Sequence, residues 1–389
     1  MGIARRAATV LGTAAAAVGA VELLHRRAPG NDVAFSDEGF RPQRMAAGLL
    51  RLSGRVTVEN LTADREVMLC GVEPHVALLS DASVAELRTA CRVESRDKAY
   101  PPRPDGYWTA YVVKPAGSSA FDVQVDVQGR AAALDALYAV WVDVRVGTYG
   151  AEGPRPRSHH VFVALREAER TPPSWRDVDG AQVLPVRTHL LTPDDDPLAV
   201  VQKYAAPQAE PGDVVVIGES PLAVMQGRLR HPDEVRVGWF ASRFCSFMGG
   251  EGSLGTGPGL QVLVDQVGGP RVLGALAAGA PLKLAGRPGW FYRLAGDQAR
   301  LVDDVTGSLP PYDQFIVLGP ERSDSVCEAI ERTTGLGAAV CDANDLGRVD
   351  VLGASTGVDH AFVRRALASN PAGNGAETTP LVLVRPPAP

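Results

Sequence analysis

The sequence predicts a chain of two unlike bodies, an all-β sandwich followed by a mixed α/β (α+β) domain, with a single apolar helix ahead of both. Three observations carry this. Through the first half apolar residues alternate with period two, clearest in Phe121 to Gln128 and in Tyr138 to Val146, which is the mark of half-buried strands. From Val183 the pattern changes to helix-length apolar stripes interleaved with short buried runs such as Val214 to Ile217. Ala7 to Leu24 is a stretch of small and apolar residues unlike either body.

At 389 residues the chain exceeds what one hydrophobic core normally serves. Hydrophobic residues at 45% and charged residues at 22% match globular proteins, which excludes wholesale disorder and a multi-span membrane protein. A formal net charge of -6 with no basic block excludes a nucleic-acid partner. The five cysteines, Cys70, Cys91, Cys245, Cys327 and Cys341, are scattered and form no CxxC or Cys/His spacing. They read as small buried apolar residues, not as a disulfide framework or a zinc site.

Residues 1–28 hold the apolar helix. Ala7 to Leu24 would span about 27 Å, close to the ~30 Å hydrocarbon core of a bilayer. Arg5 and Arg6 precede the run, whereas Arg26, Arg27, Arg41 and Arg44 follow it. The expectation is an uncleaved membrane anchor with the bulk of the protein cytoplasmic. Two alternatives stand beside it: a signal peptide cleaved after Ala20, which would export the protein, and a peripheral helix.

Residues 45–170 make the sandwich-like domain. Strands are expected at Arg55 to Glu59, Glu66 to Cys70, Val76 to Leu79, Tyr107 to Val113, Phe121 to Gln128, Tyr138 to Val146 and His160 to Leu165, with one short helix at Ala82 to Cys91. Adjacent His159 and His160 point to opposite faces of a strand and cannot share a metal, so they read as solvated structural residues. No chemistry is legible in this body. Thr171 to Trp175, rich in proline, reads as a linker.

Residues 183–387 make the second domain. Thr192-Pro-Asp-Asp-Asp-Pro197 caps a helix carrying Leu198, Val201 and Ala205, and Pro207 ends it. A buried strand follows at Gly212 to Ile217. Ser323 or Asp324 caps another helix that Gly335 ends, a further helix lies between Gly357 and Asn370, and Leu381 to Val384 is a last strand.

Three groups of residues here carry potential chemistry. Asp342, Asn344 and Asp345 follow the apolar run Ala338 to Cys341, which projects them from the carboxyl edge of a strand, the usual ligand side of an α/β sheet. Asp297, with Asp303 and Asp304, is a second acidic cluster. A glycine-dense loop from Gly249 to Gly259, including Gly250, Gly252 and Gly255, leads into an apolar helix at Leu260 to Val267, where backbone amides could cradle an anion. An Asx-rich turn, a solvated hairpin and a simple lid or linker account for the same residues without chemistry. Arg271, Arg287 and Arg293 flank these segments as partners for phosphate or carboxylate.

Taken in order, Asp194 to Asp196, Gly212 to Ile217, Gln226-Gly227-Arg228, the stretch Gly289 to Gln298 and the segment Gly335 to Gly357 resemble the motifs of the coenzyme F-420-0:γ-glutamyl ligase family, in a divergent form. The resemblance implies a ligase-like fold over residues 183–387 and a GTP- or ATP-dependent amide ligation that joins glutamate or another amine to a small-molecule carboxylate. It implies magnesium or manganese held by Asp297, Asp342 and Asp345, and a homodimer; the glycine loop, through Gly250, Gly252 and Gly255, and Arg293 are then the candidate nucleotide contacts. The sequence departs from the family pattern in three places. Glu219-Ser-Pro221 stands where a lysine usually follows the strand, and the lysines of the chain are Lys98, Lys114, Lys203 and Lys283. Tyr292 and Arg293 replace a cysteine-asparagine pair, and Val349 and Asp350 replace a proline and a second arginine. The alternative function is a membrane-tethered binding or scaffold protein that keeps the fold without catalysis.

Overall fold

A computed structural model describes residues 30–97, 101–103, 108–150, 153–166, 174–248, 253–284, 289–296, 298–304, 309–344, 347–373 and 378–387. They form two compact units. One comprises the described residues up to Val76, Leu87–Leu134 and Val142–Val161; the other comprises Ala77–Glu86, Asp135–Trp141 and the described residues from Phe162 onward.

The first half of the chain forms two antiparallel sheets, because alternating sequences such as FDVQVDVQ can bury one face only by facing a second sheet. In the five-stranded sheet, β3 (Leu49–Asn60) pairs along one side with β1 (Val33–Asp37) and β2 (Arg41–Ala46), and along the other with β7 (Ser118–Gln128). Beyond β7 lies β5 (Arg88–Ser95). The four-stranded sheet runs in the order β6 (Tyr111–Val113), β4 (Val67–Ser80), β8 (Leu137–Gly150), β9 (Gly153–Ala164). Leu52, Val56, Phe121 and Val125 of one sheet and Leu69 and Val113 of the other are buried. Trp108 ties the two together. Its Nε1 donates to the Leu69 carbonyl at 2.9 Å while its ring meets Phe121 edge-on at 5.9 Å.

Several expectations for this unit need correction. The helix expected at Ala82 to Cys91 is a turn leading into β5, because Thr89 to Val93 extend along β7 as a sheet edge. The histidines are not solvated. His159 Nε2 lies 2.7 Å from Asp37 Oδ2 and its ring stacks on Phe35, and the buried His160 sits 3.5 Å from Asp143. Cys70 and Cys91 are exposed, since each falls on the outer side of its strand; Cys327 and Cys341 are buried as expected.

The second unit is built on a six-stranded mixed sheet, ordered β10 (Arg176–Val178), β11 (Ala181–Val186), β18 (Leu381–Arg385), β12 (Val214–Gly218), β16 (Gly337–Ala343), β17 (Val349–Ala354). Strands β12 and β16 run parallel; the other neighbours are antiparallel. The near-continuous apolar runs VVVI and LVLV reflect burial on both faces. One face packs on the helix Ser323–Thr334 through Cys327 and Ile330, the other on the helix His360–Leu367 through Val363, Ala366 and Leu367. Ser323 is already helical, and Asp324 accepts from the Ala354 amide at 3.0 Å instead of capping the helix. Arg385 fastens β18: it donates through Nε and Nη2 to Asp213 at 2.9 and 2.8 Å and lies 4.2 Å over the Trp175 ring.

The helices Trp239–Phe244, Gly257–Val267, Gly269–Leu284, Trp290–Ala295 and Gln298–Leu301 form a layer with its own core of Leu260, Leu263, Val272, Phe291 and Ala295. A small sheet of β13 (Leu229–Arg230), β15 (Ile316–Val317) and β14 (Asp303–Asp304) adjoins it. A further aromatic cluster in this unit joins Trp141, Phe162, Tyr312 and Phe315.

Membrane anchorage is corrected. Among the described residues no helix is long and apolar enough to cross a membrane. The longest, Gly269–Leu284, has 16 residues and would reach only about 24 Å. The run Ala7 to Leu24, the basis of the anchored, cytoplasm-facing expectation, lies outside the described residues.

Candidate active-site cleft

Strand β16 passes its apolar residues Ala338 to Cys341 through the sheet interior, and its last parallel pairing with β12 is Gly218 to Cys341. Asp342 therefore emerges just past the carboxyl end of that pairing. A bulge between Val340 and Cys341 resets the register with β17, so that Asp342 stands directly across from Asp350. The hairpin between them is held by Asn344, whose amide donates to the Arg348 carbonyl at 3.1 Å and whose Oδ1 accepts from the Arg348 amide at 3.2 Å. Two short helices bring in the rest. Gly289 and Gly296, with φ of 86° and 102°, bound the helix Trp290–Ala295, and Gln298–Leu301 follows directly.

These elements enclose a cleft of about 590 Å³ lined by Leu254, Gly289, Tyr292, Arg293, Ala299, Arg300, Val302, Asp342, Arg348 and Asp350. Two of the sequence-predicted residues, Asp342 and Arg293, thus line one cavity. Three further charged residues, Arg300, Arg348 and Asp350, were not singled out as a site from sequence. Arg348 Nη2 and Arg300 Nη1 both donate to Asp350 Oδ2, at 2.8 and 3.3 Å. Asp342 and Arg293 form no ion pair with described residues, and the Arg293 guanidinium lies 5.6 Å from the Trp290 ring centre. Burial and the neighbouring charge of Asp350 push the Asp342 carboxyl above its ordinary value, against the pull of Arg348 and Arg300. Cys341 beside it is held as a thiol, its pKa pushed up to about 12 by burial, and offers no nucleophile near neutrality.

The other expected residues fall elsewhere. Gly250, Gly252, Asp297, Asp345 and Arg287 lie outside the described residues. Gly255 belongs to the turn Ser253–Gly255, beside the lining residue Leu254 but not itself on the lining. Arg271 is structural, donating to the Leu294 carbonyl at 3.1 Å. Asp195 and Asp196 are structural as well. Asp195 accepts from the Thr192 amide at 2.7 Å and lies 2.9 Å from His189 Nε2, while Asp196 caps the following helix through the Ala199 amide. Gln226 and Arg228 form a clasp on the turn before helix Ser323–Thr334. Gln226 exchanges two 2.8 Å hydrogen bonds with the Glu321 backbone, and Arg228 Nε donates to the Gly319 carbonyl at 2.6 Å.

As a divalent-cation site the described part of the cleft falls short. Magnesium or manganese takes several oxygen ligands. Here Asp342 is the one carboxylate not engaged by arginine, and among the described residues no group of three or more His, Cys, Asp or Glu side chains could hold a metal ion. What the lining does provide is three arginines together with apolar Leu254, Ala299 and Val302, a set suited to phosphate or carboxylate oxygens.

Residues 35–167, roughly a third of the chain, match the family model described as F420-0:gamma-glutamyl ligase, N-terminal Ig-like domain. The N-terminal part therefore resembles that Ig-like domain. The match supports the ligase family for this part alone, whereas the motif resemblance lay in the second body. No curated protein matches the chain. Among solved structures, the chain is similar to the putative ApaA protein from Bordetella pertussis, at 8% identity over 36% of this chain and 96% of that one, with a TM-score of 0.22. The GAE domain of GGA2p from Saccharomyces cerevisiae matches at 8% identity over 36% and 93%, with a TM-score of 0.20. A FixG-related protein from Vibrio parahaemolyticus matches at 10% identity over 34% and 96%, with a TM-score of 0.19.

Proposed function

We propose that this is a coenzyme F-420-0:γ-glutamyl ligase-like protein whose second unit binds a phosphorylated or carboxylated small molecule in the cleft between β17 and the helices Trp290–Ala295 and Gln298–Leu301. One observation supports this most: Arg293 and Asp342, distant in sequence, line a single cavity together with Arg300 and Arg348. Amide ligation driven by GTP or ATP is the reaction that the motif order and the Ig-like match favour. In that reaction the arginines would take the phosphates, and Asp342 would need Asp297 and Asp345 beside it to hold magnesium or manganese. Binding without catalysis is the second reading. It is favoured by Glu219, which stands where the family places a lysine, and by the engagement of Asp350 with arginines.

Calorimetry of the full chain with GTP and ATP, each with and without manganese, tests the proposal. Saturable binding that Arg293→Gln weakens at least several-fold supports the cleft; binding unchanged in Arg293→Gln and in Arg348→Gln refutes it. Nucleotide binding that requires manganese and is lost in Asp342→Asn supports a metal at Asp342, and release of phosphate only when a carboxylate and an amine are both present would favour ligation over simple binding.

A further inference from the structure

The cleft already contains an anion of its own. Arg348 and Arg300 converge on a single oxygen, Asp350 Oδ2, the first from two residues earlier in the same hairpin and the second from a helix fifty residues earlier. All three line the cavity, so the groups best placed to receive a ligand are occupied by a side chain of the chain itself.

We propose that Asp350 is a tethered stand-in for the ligand's anionic group, displaced from Arg300 and Arg348 when that group enters, and that it makes the cleft selective for dianionic phosphate-type groups over single carboxylates. This rests on the reading of the cleft as an anion site. Three features argue for it. The interaction is held weakly, because the side chains of Arg348 and Arg300 are 61% and 36% exposed and water competes for both. Asp350 also faces Asp342 directly across the strand pair, and like charges in that position repel, so release from the arginines relieves a conflict already present. Finally, a monocarboxylate entering the site only exchanges one carboxylate for another and gains little. A dianion with several oxygens can engage both guanidinium groups and Arg293 as well, which Asp350 leaves without an ion-pair partner among the described residues.

The test uses the full chain at constant ionic strength, with pyrophosphate and acetate as probes, and compares the unaltered protein with Asp350→Asn and Arg348→Gln by calorimetry. Thermal unfolding confirms that each variant folds. Asp350→Asn should tighten pyrophosphate by about fivefold, the effect of one unit charge at roughly 4 Å in water. It should also bring acetate binding into the measurable range, while Arg348→Gln weakens pyrophosphate. Unchanged or weaker pyrophosphate binding in Asp350→Asn, with Arg348→Gln still impaired, overturns the displacement and leaves the cleft as an anion site. Absence of saturable pyrophosphate binding in both the unaltered protein and Asp350→Asn overturns the anion site and the displacement together.

Discussion

The outward face of the five-stranded sheet and the cleft of the second unit both combine arginines with aspartates, yet their carboxylates behave in opposite ways. On the sheet, Asp126 meets Arg51 through two bonds at 2.7 and 2.8 Å, and Asp122 receives both Arg55 and Arg96. Both acids are held below their ordinary values: Asp126 chiefly by the Arg51 hydrogen bonds, Asp122 because its two arginines outweigh a burial penalty. In the cleft Asp342 shifts the other way, since burial and Asp350 outweigh the more distant arginines. On the sheet these two carboxylates are each satisfied by arginines of the same sheet. A cavity that keeps a desolvated carboxylate and an unmatched guanidinium is where a ligand has most to contribute.

This contrast can be broken in several ways, the largest through the packing beneath each region. Phe121, fully buried behind the paired acids, should cost about 3–5 kcal/mol when changed to alanine. Denaturant unfolding of a variant that keeps Trp108 as its sole tryptophan would report the loss. If the cleft is independent of that face, pyrophosphate binding should persist at denaturant-free conditions. Next comes the clamp under the second sheet. Asp213 is 1% exposed, and Arg385→Ala would strand its carboxylate, at a cost of about 3 kcal/mol. The double variant with Asp213→Asn should recover part of this, which a double-mutant cycle measures. An unchanged midpoint in Arg385→Ala would mean that the clamp contributes no stability.

The smallest effect is one of pH. Burial raises the Asp195 carboxyl, but the His189 and Thr192 hydrogen bonds more than compensate, leaving it below its ordinary value of 3.8. Its stabilising contribution is therefore complete above that value and disappears as the pH falls through the lowered one. Acid unfolding of Asp195→Asn should show a shallower loss of stability below about pH 4 than the unaltered chain. Identical acid limbs would show that the turn at 192–195 is held by something other than this carboxylate.

Much of the framework was legible. Period-two alternation located β7 and β8, and the apolar runs VVVI and LVLV located β12 and β18, because burial on one or both faces writes itself directly into local composition. Strand β5 was not legible: Ala82 to Cys91 contains good helix formers, and only the long edge of β7 makes an extended conformation preferable. The cleft was half legible. Asp342 announced itself by following a buried strand, and Arg293 by its place in a glycine-bounded aromatic stretch. Arg300 gave no local signal, since its role depends on a hydrogen bond to a residue fifty positions away. Arg348 and Asp350 did carry one. Arg348 immediately precedes β17 and lies two positions before Asp350, so the pair was close enough in sequence to be read as an ion pair.

Strand β18 has one more consequence. It lies between β11 and β12, and its clamp joins positions 172 residues apart. Until it arrives, the nascent sheet holds an open slot flanked by two apolar strand edges, and closing so long a loop is slow. During that interval the same segment of a neighbouring molecule fits the slot equally well, so refolding at high concentration should divert some chains into strand-exchanged dimers.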